Sequence, residues 1–419
     1  MKNVINNITE QVRHQYEQYP YPDIEPKTEN PNMLVSCHLS LMCDLIWAGK
    51  KSPEGLRVLD AGCGTGSPLT AMALAYKDTE IVGVDFSESS LQKARQLAER
   101  NNLKNVRFYN IELENVKKLG QQFDFIISSG VLHHLSDPAK GLNALGEVLD
   151  PQGAISIMLY GRYGRIGINM LQEVIKLSCA DEDSMPNRIA FARNLAMAIP
   201  AGHPFKTRRQ GREISEGKDA GIVDLLLHAQ DIPFDVNTIF KLCSQAKLEF
   251  YQWLFPLIYN PETYIKNPLI TGHLKNHLPE DLYRIAELMH GRISKHSFFA
   301  VKPTFSAPKT KIENGGWREL KAYLTPCLKW NQVCNVPGEE DVFSIPPAVV
   351  QDEWDPLRTS QWELHFLSLI QPQITLGEIV ERPEVKKMLP FKSRGEVNTG
   401  VEMLLKKVLG MLGIVLLES

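Results

Sequence analysis

Residues Leu59-Asp60-Ala61-Gly62-Cys63-Gly64-Thr65-Gly66 place an acidic side chain at the end of an apolar run and then put glycine at every second position. Such a run describes a strand tip and a tight turn, where missing Cβ atoms let a ligand lie against the backbone. Ile81-Val82-Gly83-Val84 reads as a second strand and ends in Asp85, whose carboxylate can accept two hydrogen bonds from ribose hydroxyls. After the turn, Ser67-Pro68 predicts a helix start, with serine as N-cap and proline at the first helical position. The dinucleotide fingerprint G-x-G-x-x-G is not met, because the third glycine falls at Gly66 and Ser67 takes the last place. Asp60 would repel a pyrophosphate there; it suits a cationic sulfonium or ammonium.

This run is similar to motif I of the class I S-adenosylmethionine-dependent methyltransferases, and three later segments extend the likeness. Val106-Arg107-Phe108-Tyr109 is a third strand, followed by Glu112-Leu113 where that superfamily holds the adenine amine. Phe123 to Leu135, with Ser129-Gly130 and His133-His134, resembles the fourth strand and its loop, and Leu149-Asp150-Pro151-Gln152-Gly153 resembles the turn before strand five. The resemblance implies S-adenosyl-L-methionine as cofactor. It would be held by Asp60, Gly62, Cys63, Gly64, Gly66, Asp85, Phe86, Glu112, Leu113, Ser129 and Gly130, with Cys63 equally readable as a small filler of the turn. It also implies an α/β, Rossmann-like seven-stranded sheet, whose last two strands are expected at 248–253 and 296–301.

Methyl transfer is an in-line displacement at a carbon that the sulfonium already activates, so positioning matters most and proton removal second. His133 and His134 stand where the superfamily places the acceptor and are the candidate catalytic residues, although the same loop suits packing. Tyr16-Glu17-Gln18-Tyr19-Pro20-Tyr21-Pro22 reads as a stiff aromatic arm that either closes over the site or anchors the amino terminus. Tyr16 and Tyr21, with Tyr160 and Arg162 after strand five, are the candidate substrate residues. No metal is expected, because the seven cysteines are scattered without a C-x-x-C pair.

A chain of 419 residues calls for two or three domains. We expect an arm at 1–50, a methyltransferase domain at 51–302 carrying a helical lid insertion at 165–240, and a mainly helical, winged-helix-like domain at 317–419. Lys206, Arg208, Arg209 and Arg212 form a basic cluster in the lid. Net charge is −3, and from Trp317 onward 11 Lys and Arg face 14 Asp and Glu, so neither nucleic acid nor an anionic membrane is an expected partner. The polar amino terminus and reduced thiols lead us to expect a cytoplasmic protein.

The acceptor stays open. The strand-four motif [N/D]-P-P-[Y/F] is absent, Ser128-Ser129-Gly130-Val131 standing in its place, which argues against a nucleobase. The layout is loosely similar to bacterial protein-modifying methyltransferases, which implies a protein side chain as acceptor. A small-molecule acceptor and a non-catalytic cofactor-binding scaffold are the alternatives.

Overall fold

The computed structural model describes residues 2–22, 34–180, 183–208, 210–211, 214, 218–265, 267–308, 313–324, 329–330, 342–344, 357–358, 361–371, 373–409 and 414–417. The chain divides into two compact units. The first contains 1–33, 54–253 and 264–305, and the second 34–53, 254–263 and 306–419. The expected arm at 1–50 is therefore split: helix α1 (Lys2–Gln18) lies in the first unit and α2 (Leu39–Trp47) in the second.

The first unit is built on one seven-stranded sheet of β1 (Arg57–Ala61), β2 (Glu80–Asp85), β3 (Val106–Asn110), β4 (Phe123–Ser129), β5 (Leu149–Tyr160), β6 (Glu249–Trp253) and β7 (Lys295–Val301). Their spatial order is β3-β2-β1-β4-β5-β7-β6, and β7 runs against both its neighbours. The central strands are apolar on both faces because helices cover both, as a parallel sheet requires. Pairing Asp60 with Gly83 and with Ile127 brings the carboxyl ends of β1, β2 and β4 to one edge of the sheet. That edge is where open α/β sheets bind ligands.

Helix α3 (Ser67–Ala75) follows β1, but Gly66, with φ +78°, occupies the N-cap position expected for Ser67. Helix α4 (Glu88–Arg100) starts as its sequence implies, with the Ser87 hydroxyl accepting the Ser90 N–H, and it buries Leu91, Ala94 and Ala98. Helix α5 (Pro138–Val148) is capped by Asp137. The expected turn at Leu149–Gly153 is instead the irregular start of β5, where pairing to β4 shifts register between Phe123 and Phe125.

The insertion is shorter than 165–240. Its own core gathers Ile168, Leu171 and Ile175 of α6 (Ile166–Ser178), Ile189 and Ala192 of α7 (Met185–Ala198), and Ile222, Val223 and Leu226 of α8 (Asp219–Leu226). Val174 of α6 is exposed, although it stands at helical spacing from Leu171. Helix α9 (Val236–Gln245) packs on α5 and β6 and belongs to the sheet layers. Lys206 donates to the carbonyls of Met197 and Ile199 and Arg208 to that of Tyr163, so both close off backbone; Arg209 and Arg212 lie outside the described residues.

The second unit has a separate core centred on Trp317, Phe366, Leu367, Leu376, Ile379, Val401 and Leu404. Its helices include α10 (Gln361–Ser368), α11 (Leu376–Glu381), α12 (Pro383–Met388) and α13 (Arg394–Leu409), in keeping with the mainly helical reading of 317–419. Strand β12 (Ile414–Leu417) pairs antiparallel with β8 (Lys321–Leu324). A smaller sheet of β9 (Lys329–Trp330), β10 (Val342–Ser344) and β11 (Leu357–Arg358) adds to it. Among the described residues no helix is long and apolar enough to cross a membrane.

Gly66 fixes the spacing of α3 against α4: a Cβ there would meet the Ala94 Cβ at 2.7 Å while adopting a left-handed backbone. Gly66→Ala is expected to cost about 2 kcal/mol or more, combining the left-handed penalty with overpacking. Urea denaturation tests this, and a variant as stable as the parent would contradict it.

Candidate functional site

At the sheet edge Asp85 ends β2 with both carboxylate oxygens engaged. Oδ2 accepts the Gly64 N–H at 2.9 Å and Oδ1 the Ser87 N–H at 2.9 Å, leaving further lone pairs on each. Asp60, 7 % exposed at the end of β1, is pushed up to about 7 by burial and by the neighbouring Asp85 charge. Asp85 itself is raised to about 6, burial outweighing the backbone N–H groups that favour its ionised form. Two crowded, buried carboxylates beside an open glycine backbone are a site for a ligand that carries both hydroxyl donors and positive charge. The donor set thus fits a sulfonium nucleoside.

Gly62, Gly64 and Gly66 all have positive φ, and a Cβ at Gly62 would strike Val131 at 2.4 Å. The space beside Gly64 is met by the Tyr21 carbonyl at 3.0 Å, and the Thr65 hydroxyl donates to the Pro22 carbonyl. The arm's backbone therefore covers this face of the turn. Cys63 is buried beside it, its thiol pushed up by burial, which suits a filler and not a nucleophile.

An open groove beside β2 and β3 is lined by Arg13, Phe86, Asn110, Glu112, Asn115 and Lys118. Glu112, at its mouth, is ion-paired with Arg13, whose guanidinium stands 5.7 Å from the centre of the Phe86 ring. Glu17 reaches from α1 to the start of α4, accepting the Glu88 N–H at 2.6 Å and the Ser89 N–H at 3.1 Å. Leu113 is buried, Ser129 ends β4, and the Gly130 N–H donates to the Met158 carbonyl; none of the three lines this groove. Arg13 and Glu17 were not singled out from the sequence. Their only signal is a shared helix face with Tyr16 at i, i+3 and i+4.

Beyond β4 lies a buried cluster of rings. His133 stacks on Tyr160 with centroids 4.0 Å apart, and His134 stacks on His228 at 3.7 Å. Tyr16 donates to Asp224 at 3.2 Å and stands 3.1 Å from His228 Nε2. Burial is the leading cause that lowers His133, His134 and His228 below the usual imidazole range, so all three are neutral at pH 7. Burial likewise raises Tyr16 and Tyr160 well above the usual phenol range.

The structure brings His133, His134, Tyr16 and Tyr160 together, while Arg162 is tied to Asp235 at the start of α9. Arg165 takes its place: its guanidinium lies 3.5 Å over the Tyr160 ring and pairs with Asp231 at 3.0 Å, both side chains almost wholly buried. His228, Asp224 and Asp231 also escaped the sequence reading. Asp224 did carry a signal, as a lone carboxylate within the apolar run Ile222 to Leu227.

Residues 52–218 match a family model described as a methyltransferase domain. Over 300 residues, 70% of this chain and 72% of the relative, the sequence is 27% identical to an uncharacterized protein of Synechococcus sp.. It is 34% identical over 121 residues to the tRNA 5-carboxymethoxyuridine methyltransferase of Escherichia coli, a match covering 28% of this chain and 46% of that enzyme. Among solved structures, PKMT2 from Rickettsia typhi superposes with TM-score 0.64 at 15% identity, over 92% of this chain and 77% of that one. Its complex with AdoHcy gives TM-score 0.62 at 14% identity, over 96% and 78%.

Because the folded value of Asp60 is raised, the native state holds a proton that the unfolded chain releases, and stability falls as pH rises from about 4 to about 7. Asp60→Asn removes that loss. Its stability relative to the parent is expected to grow across this window and then level off, with a ceiling of about 4 kcal/mol at about 1.4 kcal/mol per pKa unit. A difference in thermal midpoint that stays constant with pH would count against it.

Proposed function

Given that this chain belongs to the class I S-adenosylmethionine-dependent methyltransferases, we propose that it methylates a side chain of a protein. The observation that carries this reading is the second unit, a compact body with an apolar core of its own, whose size suits a docking module. The likeness to PKMT2, which extends over 92% of the chain and so beyond the methyltransferase domain, supports it.

In this reading Asp85 receives the ribose hydroxyls, the glycine turn of Gly62, Gly64 and Gly66 lies along the cofactor's main axis, and Asp60 faces its positive end. Phe86, Glu112 and Leu113 border the adenine, with Ser129 and Gly130 at the methionine side. Bound there, S-adenosylmethionine supplies an electrophilic methyl group. Tyr16 and Tyr160 wall the acceptor end and exclude water, while Tyr21 holds the arm over the turn. His133 and His134, neutral and buried, act as lone-pair donors toward the acceptor.

Asp85→Ala is expected to weaken S-adenosylmethionine binding by about 100-fold or more, the size of two lost hydrogen bonds to a charged group. Unchanged calorimetric affinity would remove Asp85 from the site. His134→Gln is expected to slow methyl transfer at least about tenfold while leaving cofactor affinity intact, as loss of a proton acceptor does. Tritiated methyl donor, incubated with lysate from a strain lacking this chain, tests the acceptor class: label in a protein band supports the proposal, and label confined to small molecules refutes it.

A further inference from the structure

The loop after β4 and the segment that follows α8 bring three buried electron-pair donors together. His133 is wholly buried and neither of its ring nitrogens has a hydrogen-bond partner. Asp231 spends Oδ2 on Arg165 and Gln172, at 3.0 and 3.1 Å, while its Oδ1 is buried and unpartnered. His134 holds the Gln230 carbonyl at 2.7 Å through Nδ1, which places its proton there and leaves the Nε2 lone pair free. One donor atom from each of His133, His134 and Asp231 lies within 4.8 Å of the others.

We propose that His133, His134 and Asp231 form a binding site for a divalent transition-metal ion, with zinc the best match to two imidazoles and one carboxylate. Both ring nitrogens of His133 and the Asp231 Oδ1 are buried without a hydrogen-bond partner, and a cation held between them would satisfy polar atoms that the fold otherwise leaves unpaired. The supporting contacts are those that metal ligands use: a backbone carbonyl orients the His134 ring, and Arg165 with Gln172 orients the carboxylate. Ligand atoms around tetrahedral zinc stand about 3.3 Å apart, so side-chain rotation must draw the three inward.

A second grouping, His134 with Asp224 and His228, is also close enough, but hydrogen bonding excludes it. His228 Nδ1 accepts the Gln230 N–H at 3.0 Å, so the neutral ring carries its proton on Nε2, toward Tyr16. No lone pair is left there for a metal. Three protein ligands leave the fourth position of the His133–His134–Asp231 site open, the arrangement of a zinc that works on another molecule. The proposal needs no commitment on what that molecule is.

The test uses the whole protein, stripped with a chelator and titrated with zinc chloride by calorimetry, with bound zinc counted by elemental analysis after desalting. One zinc per chain at micromolar affinity or tighter is expected. His133→Ala and Asp231→Asn should each weaken it at least about 100-fold while still binding AdoHcy, which reports an intact fold. Cobalt in place of zinc should give tetrahedral visible absorption that Asp231→Asn lacks. A parent protein that retains no zinc, or variants that bind it as tightly as the parent, would overturn the site. Zinc would take the lone pairs that the proposed function directs at the acceptor, so a loaded site replaces that role of His133 and His134, whereas cofactor affinity, measured separately, tests the methyltransferase reading on its own.

Discussion

The Asp85 carboxylate is the tie on which the cofactor end depends. It joins the Gly64 N–H of the turn to the Ser87 N–H at the start of α4, so the tip of β2 sets the position of both. Gly66 then packs against Ala94 on that same helix, which links the start of α3 to α4 without any space to spare. The positive end of α4 also receives Glu17. A helix N-terminus can carry this acidic company because its unpaired N–H groups and dipole favour negative charge.

What the sequence made legible was local. A strand tip, three glycines and an acidic residue after the next strand fall within one βαβ unit, where spacing alone fixes their meeting. The seven-stranded sheet was implied by the resemblance those residues carry, whereas the reversed β7 has no signature in their spacing. Arg13 and Glu17 could not be read that way, because their partners Glu112, Glu88 and Ser89 are far away in the chain. Arg162 and Arg165 show a different limit: the two are alike in type and neighbourhood, and only the path of the chain after β5 sends one to Asp235 and the other to Asp231. Ser67 lost the cap position for a simple reason, since the turn needed a left-handed residue there and Gly66 supplies it.

The two ends of the site differ in electrostatic character. At the glycine turn, burial leaves carboxylates close to their titration range and short of positive charge. In the ring cluster, burial strips charge from the imidazoles, and the ionic groups acting on them include Arg165, Lys295 and Asp231. The turn end is thus prepared for a cation, and the ring end for an electron-poor atom that neutral lone pairs can approach.

The Tyr21 carbonyl at Gly64 carries a consequence in terms of linkage. In the proposed site the arm and the cofactor share that backbone surface, so the free energy of seating one would include whatever the other must yield. The coupling is reciprocal: a substitution that loosens the arm shifts cofactor affinity by the same factor that cofactor shifts arm closure. Residues ahead of the sheet domain therefore belong to the thermodynamics of the cofactor site as fully as the glycines themselves.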